Sequence, residues 1–292
     1  MQKAKRLAHE IEVSNIFGNF LTRPVRYITI ILCLILILFP FYWLFSCAVK
    51  LKQDFLAYPP VFLPTRVTLE HFKAIFENQN ILLNLYNSLV IALTTTFISV
   101  FIGSMAAYAV CKGEMSARIR NICAFWFLIQ KMYPAIATAI PVYLVMRNLR
   151  LIDTQAALII MNTSFNLPLV IWLMIGFFNE IPVSIEESAM LDGCNLWQRF
   201  FWMILPITKT GLIASGILTF IATWNEFLFA VILSVRNAKT LPVVIAGFIT
   251  DRGLEWGQMA ASSAIIIVPV IILVWVAQKD FVNGLMMGAV KE

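Results

Sequence analysis

Several polar residues sit inside runs that are otherwise apolar, and these are the first candidates for chemistry. Gln130 and Lys131 lie in the run from Asn121 to Met146. Asn162, Thr163, Ser164 and Asn166 lie in the run from Ala156 to Phe178, and Thr223, Trp224, Asn225 and Glu226 in the run from Leu212 to Leu233. Amides and hydroxyls can exchange hydrogen bonds with a polyhydroxylated solute, and an indole offers a flat face on which a sugar ring can stack. Lys131 follows the start of its run by about 15 Å at helical rise, close to the middle of a bilayer. An ammonium at that depth costs roughly 3 kcal/mol or more unless it faces water, a ligand or a carboxylate. Two readings stay open. The polar groups line a path for a solute, with Lys131 facing it and attracting an acidic one, or they tie helices together, with Lys131 paired to Glu226.

Covalent chemistry finds no support in the chain. No segment has the phosphate-cradling pattern G-x-x-x-x-G-K-[ST], so ATP hydrolysis has to come from elsewhere. The two histidines, His9 and His71, stand apart from any zinc-ligand spacing or serine nucleophile. Five cysteines (Cys33, Cys47, Cys111, Cys123 and Cys194) show no CxxC pair, and neither a disulfide framework nor a metal site is expected.

The elements that must position these groups are membrane spans. With 60% hydrophobic and 13% charged residues and a mean hydropathy of +0.83, the chain belongs in a bilayer. Six apolar runs predict spans over Tyr27–Ala48, Leu85–Ala109, Asn121–Met146, Ala156–Phe178, Leu212–Leu233 and Ala260–Gln278, which put both termini on one side. The first run is too long for a signal-peptide core and no small-x-small site follows it. The net charge of +6 is scattered over termini and loops without the clustered basic face of a nucleic-acid binder. Lys and Arg slightly favour the terminal side, which agrees with cytoplasmic termini. Residues 1–26 read either as an amphipathic helix on the membrane surface or as a basic tail that orients the first span. Pro59, Pro60 and Pro64 interrupt the first long loop, and residues 68–78 can form a short helix there.

One polar and aromatic interlude, residues 180–211, separates the fourth and fifth spans. Pro182 ends the preceding helix, Ser184 and Glu187 have capping-box spacing, and Glu186 and Glu187 occupy a first turn where negative charge suits the helix dipole. Gly193 can take the left-handed conformation that ends this helix. Asn195 and Gln198 repeat the capping pattern before a second helix through Trp197, Phe200, Phe201 and Leu205, which Pro206 limits. The prediction is helix, glycine turn, helix.

This interlude resembles the EAA loop of ABC importer permeases. Glu187-Ser188-Ala189, then Gly193, then Met203-Ile204-Leu205-Pro206 follow that family's spacing, with Ser188 and Met203 as conservative departures. Further motifs resemble the shorter, six-span subunit of maltose-type carbohydrate permeases. They are Trp224-Asn225-Glu226-Phe227, Leu241-Pro242, the stretch from Trp256-Gly257 to Ala260-Ala261, and the tail with Phe281-Val282, Gly284 and Gly288-Ala289-Val290-Lys291.

The resemblance implies an all-α, six-helix type I importer permease fold. The resemblance covers about Pro40 to the end; with the arm read from its own residues, the chain divides into a cytoplasmic arm, 1–26, and a permease domain, 27–292, expected in the bacterial inner membrane. The resemblance also implies that Glu186, Glu187, Ser188, Ala189, Gly193, Leu205 and Pro206 form a cytoplasmic coupling helix docked on an ATPase subunit. Lys131, Asn162, Ser164, Asn166, Trp224, Asn225 and Glu226 become the candidate substrate pathway. The loop Thr250, Asp251, Arg252, Gly253 and Leu254 would reach toward a solute-binding protein. The implied partners are a second homologous permease subunit, two ATP-binding subunits that hold the ATP and magnesium, an extracytoplasmic solute-binding protein and the lipid bilayer. The expected activity is import of a mono- or oligosaccharide. The alternatives are import of another solute such as an amino acid or a phosphate ester, an ion-coupled secondary transporter using Lys131 and Glu226 as a relay, and a non-transporting scaffold, which has no need of midplane polar groups.

Overall fold

In the computed structural model of the chain, residues 24–77, 80–113, 115–249 and 253–278 are described with their side chains; the backbone is described in addition over 2–23, 78, 250 and 279–289. The elements in order are α1 (Gln2–Val49), α2 (Glu70–Asn78), α3 (Ile81–Lys112), α4 (Ala117–Met132), α5 (Ala139–Asn148), α6 (Gln155–Asn179) and α7 (Val183–Leu191). There follow α8 (Leu196–Gln198), α9 (Leu205–Ile207), α10 (Lys209–Trp224), α11 (Leu228–Leu233) and α12 (Leu241–Ala246). A two-stranded antiparallel hairpin, β1 (Ile249–Thr250) and β2 (Gly253–Leu254), precedes α13 (Trp256–Ala289).

Among the described residues, four helices are long and apolar enough to cross a membrane: α1 from Pro24, α3, α6 and the part of α13 up to Gln278. Two bent pairs bring the number to six if each is one span. One pair is Ala117–Met132 with Ala135–Asn148, bent by 85°, and the other is Leu196–Ile207 with Lys209–Trp224, bent by 78°. The third expected span, Asn121–Met146, is therefore not a straight helix. Pro134 has no N–H to donate and disfavours helical backbone at the residue before it; Tyr133 accordingly takes φ −69, ψ 129, and the chain restarts through a 3₁₀ turn over Ala135–Thr138. The fifth expected span, Leu212–Leu233, is likewise interrupted after Trp224, and α11 begins anew at Leu228. The arm predicted at 1–26 is helical in backbone from Gln2 and runs on into the first span as part of α1. Its side-chain pattern up to Thr22 and Arg23 lies outside the described residues, as does that of the tail motif from Phe281.

Side chains such as Ile31 (55% exposed) and Leu36 (71%) cover α1, as expected where hydrocarbon is the solvent. The buried core runs along α3, α6 and α10. Gly103 marks the closest approach of α3 to α6, since a Cβ there would stand 2.6 Å from Val170 Cγ1. At one end of the bundle Ala107, Tyr108, Met174, Phe178, Phe200 and Ile204 pack the ends of α3 and α6 onto the segment after α8. At the other, Ile75, Ile81, Phe220, Trp224, Leu241 and Ala261 join α2, the start of α3, α10, α12 and α13.

Candidate functional site

The interlude between α6 and α10 folds as a helix, a glycine turn and a second helical segment, with local differences from the expectation. Gly193 has φ +80, and the turn closes with Cys194 N–H donating to Ala189 O at 3.0 Å. Asn195 and Gln198 form the predicted reciprocal capping box, at 2.8 and 2.9 Å. The other box, Ser184 with Glu187, does not form. Pro182, with extended backbone (ψ 134), is the N-cap of α7 in place of Ser184, so the helix starts two residues early and Ser184 falls inside the first turn. The second segment is also not one helix ended by Pro206. It passes through a π-helical stretch over Arg199–Ile204 into α9, where Pro206 sits at the start and its missing N–H costs little; Thr208 ends it.

The two adjacent glutamates of α7 point to different surroundings. Glu186 is 7% exposed, and its Oε2 lies 3.2 Å from Lys112 Nζ at the end of α3. Glu187 and Ser188 are exposed, whereas Ala189 is 1% exposed and seats the helix against the bundle. Met190 and Leu191 present apolar surface, Leu191 at 90% exposure. Leu205 is half-buried and Pro206 exposed. A neighbouring cavity of about 260 Å³ is lined by Tyr108, Lys112, Leu196, Trp197 and Phe200 among others.

Among the midplane candidates the structure brings together a subset. Lys131 Nζ donates to Phe165 O at 3.3 Å and to Asn166 Oδ1 at 3.5 Å, while Asn166 Nδ2 donates to Thr223 Oγ1 at 3.2 Å. A polar chain thus joins α4, α6 and α10. Lys131 stands one residue before the end of α4, beside the Pro134 break. The pair with Glu226, one of the two readings of the sequence, does not form. Glu226 instead accepts from the N–H groups of Phe229 (2.6 Å) and Ala230 (3.0 Å), capping α11 where the broken helix leaves backbone donors open.

The remaining candidates serve the fold. Asn162 Nδ2 donates to Leu158 O and Ser164 Oγ to Ile160 O, both back along their own helix. Trp224 does not offer a free stacking face. It is 2% exposed, stacks on Phe220 at 5.5 Å and donates its indole N–H to Ile266 O at 3.2 Å. Asn225 is exposed, and its side chain donates to Ile221 O at 2.9 Å. In the loop after α12, Thr250 and Gly253 pair in the hairpin and Leu254 pairs with Ile249; Asp251 and Arg252 lie outside the described residues. Glu255 ties the base of this hairpin to Lys52 at 3.5 Å.

Two arrangements escaped the sequence reading. One is the Lys112–Glu186 pair, for which the only signal is a cation ending one helix and an acid opening another. The second is centred on Asp153, whose carboxylate accepts from the N–H groups of Val235, Arg236, Asn237 and Ala238 and from the Asn237 side chain, at 2.8 to 3.1 Å. Burial alone would raise its pKa. The backbone donors outweigh burial and bring it down to about 2. Asp153 adopts φ +61, which Asp tolerates better than most residues, but no sequence pattern points to a partner so far along the chain.

Comparisons with known proteins agree with this architecture. Residues 99–279 match the family described as "Binding-protein-dependent transport system inner membrane component". The trehalose transport system permease protein SugB of Mycobacterium tuberculosis is 37% identical over 87% of this chain and 92% of its own length. The sulfoquinovosyl glycerol transport system permease protein SmoH of Agrobacterium fabrum is 30% identical over 93% of this chain and 95% of its own. A chain in the crystal structure of a bacterial ABC transporter involved in the import of the acidic polysaccharide alginate superimposes with a TM-score of 0.75, covering 90% of this chain and 97% of that one at 22% identity, a likeness of fold. Family match, relatives and helical architecture together establish that this chain belongs to the binding-protein-dependent transport system inner membrane components.

Proposed function

We propose that this chain is a membrane-spanning subunit of an ATP-driven importer for a mono- or oligosaccharide. The observation that carries the reading is the family match over 99–279, joined by relatives named for the transport of trehalose and of sulfoquinovosyl glycerol. An ATP-binding pair and a solute-binding protein complete such a system, with ATP and magnesium held by the former. A second, homologous permease subunit covers the exposed apolar faces that lipid does not. Both termini, the arm 1–26 and the 180–211 segment lie on the cytoplasmic side, and the hairpin at Thr250–Leu254 faces the solute-binding protein.

Coupling runs through α7. Its inner side is fixed by Glu186 and Ala189, and its outer side presents Glu187, Met190 and Leu191, an acid flanked by apolar surface suited to a cleft on the ATP-binding subunit. Closure of that subunit pair moves α7 and the Gly193 turn together and rocks the spans, alternating access around the polar chain from Lys131 to Thr223. Glu187 makes no capping hydrogen bond among the described residues, and its role is contact with the ATP-binding subunit. The test is uptake of a saccharide panel by the reconstituted complex, which has to depend on ATP and on the binding protein. In the same assay Glu187→Gln and Glu187→Ala are expected to lose coupled transport to a similar degree, with helix stability unchanged within about 0.5 kcal/mol. Parental coupling in both variants removes Glu187 from the docking face, and binding-protein-independent uptake removes the importer reading.

A further inference from the structure

At the end of the bundle opposite α7, a cavity of about 670 Å³ opens between the start of α3, the 236–239 loop and α12. Its polar lining comes from Asn80, Asn84, Arg236, Asn237 and Lys239, and among the described residues no carboxylate contributes to it. Arg236 and Lys239 make no ion pair among the described residues. The loop that carries them is held firmly. Its N–H groups from Val235 to Ala238 are taken by Asp153, and Asn87 Nδ2 donates to the carbonyls of Asn237 (2.8 Å) and Lys239 (3.0 Å). Gln155 Nε2 in turn donates to Asn87 Oδ1 at 2.6 Å, and Leu241 N–H to Ser88 Oγ at 2.9 Å. With the loop backbone committed to its own support, the two cationic side chains are presented on a rigid frame, which lowers the ordering cost of binding.

We infer that this cavity is a binding site for an acidic saccharide at the entrance of the permease, an inference that rests on the carbohydrate reading above. The volume falls in the range of small-molecule sites, roughly 300–1,000 Å³. Two cations suit a carboxylate or a sulfonate, and amides suit ring hydroxyls. Asn162, Asn166 and Trp224 at the midplane spend their donors inside the protein, as Asn237 does on Asp153, so the two cations are what marks this cavity for an acidic ligand. Asp153 stays ionised behind the loop but does not line the cavity, and Arg236 and Lys239 against this one carboxylate leave the region with a net positive charge.

The test uses the complete transporter in lipid nanodiscs and two probes of equal length, trigalacturonate and maltotriose, with binding read by saturation-transfer NMR. Trigalacturonate is expected to bind about tenfold more tightly than maltotriose, a preference lost in 0.5 M salt, on the order of a Debye length of 4 Å. The double variant Arg236→Gln/Lys239→Gln is expected to remove that preference, lowering trigalacturonate binding about tenfold, to the level of maltotriose. Equal binding of both probes by the parent, or an unchanged preference in the double variant, overturns the inference. So does a double variant that binds trigalacturonate normally yet needs more binding protein for half-maximal ATPase activity, which makes the cavity a protein-docking surface. Uptake of a wider panel of neutral and acidic sugars, measured in parallel, separates the two levels: uptake of neutral sugars alone sinks the acidic site, and uptake of no saccharide sinks the carbohydrate reading.

Discussion

Lys112 Nζ lies 3.2 Å from Glu186 Oε2, and both side chains are largely enclosed, at 15% and 9% exposure. The pair fastens the last residue of α3 to the first turn of α7, so the segment read as the coupling helix is joined by charge to a core helix that reaches the opposite end of the bundle. The other oxygen of Glu186, Oε1, is buried and makes no close hydrogen bond among the described residues, with the Tyr108 hydroxyl beside the carboxylate and Lys112 as its ion-pair partner.

Breaking such a pair strands a charge, whereas removing both charges does not. Glu186→Met or Lys112→Met alone is expected to destabilise the subunit by about 3 kcal/mol, and the double variant Lys112→Met/Glu186→Met to recover most of that loss. Thermal unfolding of the purified complex measures it. Equal stability of the single and double variants shows that the pair is not a unit.

Gly193 isolates a purely conformational effect. With φ +80 and no atom within 4 Å of the place a Cβ would occupy, a substitution there meets strain without a clash. Gly193→Val is expected to cost about 1–3 kcal/mol and to impair coupled ATPase activity, while Gly193→Asn keeps most of it because Asn enters the left-handed region more readily. Assembly survives in both, as a pull-down of the partner subunits checks. Parental coupling in Gly193→Val removes the turn from the mechanism.

Asp153 makes the Val235–Ala238 loop sensitive to acid in a definite direction. Its carboxyl titrates at about 2 in the fold against an ordinary 3.8. The stabilisation is complete above the ordinary value and drains away as pH falls from there through about 2. Hydrogen-exchange protection of the four loop amides is therefore expected to hold through neutral and mildly acidic pH and to fall only below it. Asp153→Asn, which keeps one acceptor but no charge, is expected to lower protection at neutral pH. Unchanged protection in that variant contradicts the account.

Features set by near neighbours in sequence were legible before the structure. The apolar runs predict α3 and α6 closely, and the Gly193 turn and the Asn195–Gln198 box follow from residues three or four apart. The Ser184 box failed because Pro182 offered a competing helix start only two residues away. Pro134 and the polar pair after Trp224 broke two expected spans, since a helix in a folded membrane protein can stop wherever neighbouring groups satisfy the freed backbone. What sequence could not supply were partners distant in the chain. Lys112 with Glu186, and Asp153 with the 235–238 loop, depend on how α3, α6 and α10 pack. The same packing turned Trp224 from a candidate binding face into core.

Lys131 and Glu226 supply the sharpest test of that packing, because a mutual pair is one of the two readings the sequence leaves open and the structure gives them separate partners. Lys131 donates to Phe165 O and Asn166 Oδ1 beside the Pro134 break; Glu226 caps α11 through Phe229 and Ala230. Groups with no shared partner should contribute independently, so the double variant Lys131→Met/Glu226→Gln is expected to show the sum of the single losses within about 0.5 kcal/mol. Each single loss has its own signature. Glu226→Gln retains one acceptor oxygen and is expected to cost about 1 kcal/mol, the scale of a helix cap, with the α11 amides exchanging faster. Lys131→Met removes the link between α4 and α6 without leaving a charge behind, so assembly should persist while transport of an acidic sugar falls if the ammonium faces the path. Recovery of stability in the double variant, beyond additivity, would mean that the two side chains meet in the membrane-embedded protein, and the separate-partner geometry would then be wrong.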